Sequence, residues 1–207
     1  ICCELPPGEK LKVAELSKAY GLSSSPIREA LNRLAQEGIV EASENKGFRV
    51  AGLSVKDFQE ITHLRSLLER EALADAIAHG DDAWEADVLG AYHRLGLVEK
   101  KLGSLPVALD DDWSERHKAF HFALFSACRS TLLLRTIDSL FDRAERYRRF
   151  SALRRKVERH KNDEHKQLMN AVLARDSEMA LALLGRHIGE TLSRVTDAVL
   201  GQHSTVQ

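Results

Sequence analysis

The chain has 207 residues, 43% hydrophobic and 29% charged. That is ordinary globular material, enough for one large domain or two small ones, and it excludes intrinsic disorder and a purely fibrous protein. With 30 Lys and Arg against 31 Asp and Glu the formal charge is -1, which neither advertises nucleic acid nor excludes it, because local patches outweigh the sum. No apolar run approaches the roughly 20 residues that span a bilayer, and the first residues lack a basic segment followed by an apolar one, so a soluble, cytoplasmic protein is expected. Cys2 and Cys3 are adjacent and Cys128 stands apart, which draws no disulfide framework and no cysteine-based zinc ribbon and fits a reducing compartment. The chain opens on Ile1 rather than Met, and a longer segment is expected upstream.

Pro6-Pro7-Gly8 reads as a turn or extended entry. Val13, Leu16 and Ala19 then recur at helical spacing up to Gly21, a natural helix stop. Ser23-Ser24-Ser25-Pro26 supplies a capping hydroxyl and a proline near the first turn of a second helix, whose buried stripe is Ile27, Leu31 and Leu34 and which Gly38 ends. Ile39–Ala42 and Phe48–Val50 read as two short strands joined through Asn45-Lys46-Gly47. From Ser54 onward no strand is expected. Ser54 with Asp57 resembles a capping box, and Phe58, Ile61, Leu64, Leu67, Leu68 and Ala72 mark a long amphipathic helix to about His79. Further helices are expected at about 82–102, 111–128, 130–150, 157–174 and 177–200. The fold class is therefore mainly α. Residues 1–52 read as a compact module of helix, turn, helix and hairpin, the layout of a winged helix-turn-helix, and 54–207 as an all-helical domain joined to it by a very short linker.

Helix, tight turn, helix and two-stranded wing is the layout in which the second helix enters a DNA major groove. Ser23, Ser24, Ser25, Arg28, Asn32 and Arg33 lie at or near the N-terminal half of that helix and offer hydroxyls, backbone N–H groups and guanidiniums. Lys46 and Gly47 at the wing tip reach toward backbone or minor groove. Against this stands a plain structural hairpin of helices. Residues 1–52 carry seven Lys and Arg and seven Glu, so binding requires a clustered face or a dimer.

In the second half, His117 and His121 are four apart on one helix face and can share a metal. His165, after Glu164, and His187 sit on later helices, so a bundle can gather four imidazoles. Such a nitrogen site suits Zn, Ni, Cu or Fe; the bland alternative is a set of solvated histidines, as His63, His79, His93, His160 and His203 are expected to be. Arginine completes a carboxylate site, because its planar fork matches two oxygens. The run Arg143–Arg149 begins a basic stretch with nine Lys and Arg against two Glu over 143–161, and most of it reads as a solvated face.

The stretch Leu22-Ser23-Ser24-Ser25-Pro26-Ile27-Arg28-Glu29-Ala30-Leu31-Asn32-Arg33-Leu34, followed by Glu37-Gly38-Ile39-Val40, resembles the GntR family of bacterial transcription regulators. Pro6-Pro7-Gly8-Glu9-Lys10-Leu11 resembles the segment before that family's second helix, and the family's first helix is absent from these residues. The resemblance assigns operator contacts to Ser23, Ser25 and Arg28, with Gly47 at the wing tip; Ser24 stands where an arginine is common. Residues from about 60 to 195 resemble the FCD effector domain of the FadR subgroup, through Arg65-Ser66-Leu67-Leu68-Glu69, Phe120-His121, Glu164-His165 and His187, and the resemblance implies that 54–207 is an antiparallel all-α bundle of six to seven helices for effector and metal binding and for dimerisation. Metal-binding members place an acidic residue one turn before the first histidine, a position His117 occupies here. The resemblance implies His117, His121, His165 and His187 as ligands of a divalent ion, zinc first with nickel or iron as alternatives. It implies Arg65 as the first effector-binding arginine and Arg146 as the second, with Tyr147 as a pocket wall. Trp113, His117, Phe120-His121 and Arg146-Tyr147-Arg148 resemble the CsiR-like branch, which points to a dicarboxylate.

The expected function is a homodimeric repressor that binds operator DNA and is released by a small carboxylate at a metal site. The rival is a metal-dependent enzyme acting on a small carboxylate, since an open multi-histidine site can activate water. It lacks a general base at a persuasive spacing, and Glu164 reads instead as a surface residue or a partner that orients a histidine.

Overall fold

A computed structural model describes residues 5–43, 47–102, 110–153 and 162–203. The chain divides into two compact units, Ile1–Ser54 and Val55–Gln207.

The first unit runs β1 (Lys10–Leu11), α1 (Val13–Tyr20), α2 (Ser24–Gln36), β2 (Val40–Ser43) and β3 (Gly47–Val50). Gly21 closes α1 at φ 65°, a left-handed turn that glycine adopts without steric cost. Ser23 is the N-cap of α2, but its hydroxyl makes no capping hydrogen bond, unlike the expectation. The sheet order is β1-β3-β2, antiparallel throughout, with Leu11 opposite Phe48 and Val40 opposite Val50. β1 has no counterpart among the expected strands, because two residues carry no alternation to read. Leu11, Ile27, Leu31, Val40 and Phe48 form the small core, with Val13, Leu16 and Leu34 packed at its edge.

The second unit is a bundle of six helices among the described residues: α3 (Val55–His79), α4 (Asp82–Leu102), α5 (Asp111–Phe125), α6 (Thr131–Leu153), α7 (Asn162–Leu173) and α8 (Ser177–His203). The helix expected over 157–174 is described from Asn162, and 157–161 lie outside the described residues. α5 ends three residues earlier than expected, at Phe125, with Ser126 as its C-cap. Trp84, Leu73, Val88, Leu95, Phe120, Leu124, Phe125, Ile137, Leu168 and Leu184 fill the core. Two polar ties fix the ends of helices. Arg175, at φ 57°, donates to the carbonyls of Ile77 and Gly80 at 2.8 and 2.9 Å and pairs with Glu85. Asp75 on α3 accepts from the backbone N–H of Arg129 at 2.8 Å and from its guanidinium at 2.8 Å. No helix among the described residues is long and apolar enough to cross a membrane.

Two expectations about burial are corrected. Leu64 and Leu67 are 46% and 54% exposed, whereas Thr62, Arg65 and Glu69 of the same helix are buried. The inward face of α3 is partly polar because it borders the site described below. The Arg143–Arg149 run is not a solvated face either: Glu145, Arg146, Tyr147 and Arg149 are buried. Arg143 is paired with Asp57, Arg148 with Glu145, and Arg149 with both Asp111 and Glu145, so buried charge is matched by opposite charge.

Candidate functional site

α5 presents His117 and His121 one turn apart on its inner face, α7 contributes His165 and α8 contributes His187. All four are buried, and one ring nitrogen from each lies within 4.8 Å of the others. Neighbouring rings stand 4.7 Å (His117 and His121) to 6.2 Å (His117 and His187) apart, centre to centre. Trp113 stacks on His117 with centroids 4.5 Å apart and planes inclined by 20°, and Phe120 meets His121 and His165 edge-on. These rings remove water from the cluster. Glu164, one residue before His165, reaches His187 with Oε2 at 3.0 Å from Nδ1, the arrangement by which a carboxylate orients a ligating imidazole.

The donor set can be tested against a metal ion. Neither ring nitrogen of His121 has a hydrogen-bond partner among the described residues, although the side chain is fully buried. A neutral imidazole has one N–H and one lone pair, and leaving both without a partner in an apolar site is costly. A cation among the four rings would use the lone pair. Zn–N bonds are about 2.0–2.1 Å, so two nitrogens on one ion stand at most about 4.2 Å apart. The 4.8 Å spread therefore requires a small closure of the cluster, and the residues fit a divalent ion on that condition. Burial first, then the positive Arg148, holds His117 well below the ordinary histidine value. Burial, followed by the other histidines, Arg65 and Arg148, does the same to His121. Both rings are thereby kept neutral, the form that ligates.

A narrow cavity adjoins the cluster. α3 lines it with Phe58, Thr62 and Arg65, α5 with His117, α6 with Arg148, and α8 with His187, Ile188 and Thr191. Arg65 donates from Nε to Glu69 at 2.6 Å and lies over the Phe141 ring at 4.5 Å. Arg148 also lies over Phe141, at 4.9 Å, and its Nη1 is 2.7 Å from Nδ1 of His117. Its Nη2 binds Glu145, which also accepts from Ser114 at 2.8 Å and from Nε of Arg149 at 3.1 Å. Burial pulls the Arg148 guanidinium down from its ordinary value, and the Glu145 carboxylate opposes that shift.

Of the three residues to which the resemblance assigns the effector, Arg65 lines the cavity. Arg146 and Tyr147 do not line it. Tyr147 stacks on Phe58 at 4.6 Å and donates its hydroxyl to Asp57 at 2.7 Å, and Arg146 is buried beside Tyr147, with its guanidinium carbon 5.8 Å from that ring. The arginine of α6 that meets the histidines is Arg148, two residues on from Arg146. Position alone within a basic run did not single it out. What singles it out is the register of α6 against His117, and only the packing of α5 on α6 supplies that.

In the first unit Ser23, Ser25, Arg28 and Arg33 are exposed on or just before α2, and Gly47 is exposed at the start of β3 with φ 78°. Lys46 lies outside the described residues. The apolar residues of α2, Ile27 and Leu31, face the small core, so the polar side of the helix is the accessible one.

A winged helix-turn-helix unit followed by an all-helical unit with buried histidines is the class of protein that these elements define. The comparisons with known proteins agree. The family model described as "Bacterial regulatory proteins, gntR family" matches residues 3–50, and the model described as "FCD domain" matches residues 60–190. The chain is 39% identical over 200 residues to the HTH-type transcriptional repressor GlaR of Escherichia coli, covering 94% of this chain and 90% of that one. It is 36% identical over 191 residues to the uncharacterised HTH-type transcriptional regulator BphR of Paraburkholderia xenovorans, covering 92% and 78%. Among solved structures, E. coli McbR/YncC shares the fold with a TM-score of 0.75 at 21% identity, covering 98% of this chain and 92% of that one. The chain belongs to the GntR family of bacterial regulatory proteins and carries an FCD domain. It is a DNA-binding transcription regulator of that type and not an enzyme, as its relatives are regulators.

Proposed function

We propose that the protein is a homodimeric repressor, of the FadR subgroup, that releases its operator when a small carboxylate binds beside a divalent metal ion in the second unit. The observation that carries this reading is the buried set of His117, His121, His165 and His187 opening on a cavity walled by two arginines. Residues 1–52 are the operator-binding domain and 54–207 the effector and dimerisation domain. Ser23, Ser25, Arg28, Arg33, Lys46 and Gly47 form the DNA-contacting set, with Arg28 reading a base edge and the hydroxyls and wing tip holding phosphate.

A divalent ion, zinc first, supplies when bound a positive charge that four neutral imidazoles leave undiminished, and this favours an anionic ligand. Arg65 and Arg148 offer guanidinium donors to carboxylate oxygens from opposite helices, α3 and α6. Among the described residues the Nη groups of Arg65 have no hydrogen-bond partner, which leaves them for that task. Two arginines on different helices suit a dicarboxylate, in keeping with the CsiR-like pattern of Trp113, His117 and Arg146-Tyr147-Arg148. Moving Arg148 disturbs Glu145, which accepts from Ser114 of α5 and from Arg149, itself paired with Asp111 of α5, and a bundle biased in this way changes the spacing of two recognition helices in a dimer. Both helices must match the DNA repeat at once, so a shift of a few ångströms releases the operator.

The test is element-resolved metal analysis of protein purified without a histidine tag, followed by calorimetric titration with mono- and dicarboxylates. About one metal per chain, and an acid that binds only with metal present and lowers operator affinity, is the expected result. Absence of metal and of acid binding would refute it.

A further inference from the structure

We infer that Arg148 is an internal cation that competes with a metal ion for His117, so that the site binds metal only by displacing an arginine. The inference rests on the reading of the four histidines as a metal site. Its starting point is the 2.7 Å approach of Nη1 of Arg148 to Nδ1 of His117. A guanidinium has donors only, so Nδ1 must accept, and the single proton of the neutral ring is then on Nε2. His117 therefore has no second lone pair. It can bind an ion through Nδ1 only if Arg148 leaves. It can bind through Nε2 only if the proton moves to Nδ1, which would set an N–H against the guanidinium N–H groups. Either route breaks the hydrogen bond.

The surroundings show that Arg148 is held there and that it has an alternative. Nη2 is anchored on Glu145, whose carboxylate is itself fixed by Ser114 and by Arg149, and Arg149 is tied to Asp111 at 2.5 Å. This series of polar bonds joins α5 to α6 and ends on the one histidine of α5 that stands at the cavity wall. Nε of Arg148 is buried with no hydrogen-bond partner among the described residues, so the guanidinium retains an unused donor. An arginine that leaves His117 while still tethered to Glu145 stays at the cavity wall, where an anion can take it. Metal and anion then favour each other, because each holds a product of the same displacement. Substitution of an aspartate for His117 would remove the conflict, since a carboxylate can accept from Arg148 with one oxygen and ligate with the other.

The experiment is zinc titration by calorimetry, with no added acid, of the full chain and of Arg148→Gln, together with nitrogen-15 NMR of the histidine rings in the metal-free wild type. Loss of the competitor should tighten zinc binding on the order of ten-fold in Arg148→Gln. The metal-free wild type should show His117 as the Nε2–H tautomer, a readout that does not depend on the variant folding. If wild type binds zinc and Arg148→Gln binds it equally or more weakly, the inference is overturned and the metal site stands. A His117 ring protonated on Nδ1 in the metal-free protein overturns it as well. If neither protein binds zinc, the metal reading fails and takes the inference with it.

Discussion

The indole of Trp113 lies flat on the imidazole of His117, with ring centres 4.5 Å apart, and its Nε1 donates to Glu99 at 3.1 Å. The two residues are one helical turn apart on α5, so the stacking is local, yet it links the histidine cluster to a chromophore. Only one other tryptophan is present, Trp84, which donates to the carbonyl of Ala123 and makes no ring contact with the four histidines among the described residues.

That geometry makes Trp113 a reporter. Coordination draws electron density from an imidazole, and a more electron-poor ring stacked on an indole quenches its emission. Zinc addition should therefore lower the fluorescence of Trp84→Phe, which keeps Trp113, and leave that of Trp113→Phe nearly unchanged. Equal responses in the two variants would place the metal elsewhere.

His121 provides a stability test with opposite signs in two conditions. Its ring is buried with both nitrogens lacking hydrogen bonds among the described residues. Removing a buried polar group in that state relieves about 1–3 kcal/mol, provided the replacement fills the space. His121→Leu should be more stable than wild type in urea when a chelator is present, and should lose the extra stability that wild type gains from zinc. A variant less stable than wild type in chelator would show that the ring is satisfied in solution.

Much of this arrangement is legible in the sequence, and the part that is not has physical causes. Helices with strong apolar periodicity and clear stops fall within a few residues of their expected bounds, as at Gly21 and around Gly80-Asp81-Asp82. The histidines are legible because a four-residue spacing on a helix fixes a common face. Arg148 and Glu145 are not, because a run of charges reads as solvated unless each charge has its partner, and Asp111, Ser114 and Asp57, the partners of this run, lie 38, 31 and 90 residues from the side chains they bind. The inward face of α3 departs from expectation for the same reason: Thr62 and Arg65 are buried at the cavity and Glu69 is buried as the partner of Arg65, and the hydrophobic pattern assigns that side to leucines which are exposed.

Acid stability should depend on Asp75. The hydrogen bonds from Arg129 hold its carboxyl down at about 2, against an ordinary value of 3.8. A carboxyl lowered on folding stabilises the native state fully above the unfolded value, and that contribution is lost as pH falls through the folded one. The loss therefore runs from about pH 4 to about pH 2. Asp75→Asn should unfold at lower urea concentration than wild type at pH 7, and the gap should narrow over that window. A gap independent of pH between 7 and 2 would show that the carboxylate is not what matters there.

Arg28 gives the corresponding test on the DNA side. It is exposed on α2 one residue after Ile27, which faces the core, so its guanidinium is carried on the accessible side of the helix that a major groove would receive. A bidentate pairing with a guanine edge contributes about 1–3 kcal/mol of discrimination. Arg28→Ala should weaken operator binding by that amount and relax preference at one base pair in each half-site. Arg33→Ala, which removes a charge from a phosphate, should instead weaken all sequences alike and lower the salt dependence. Binding profiles over randomised operators, at two salt concentrations, separate the two. If Arg28→Ala lowers affinity uniformly and leaves the base preferences untouched, Arg28 holds the backbone, and sequence is read by another residue of α2.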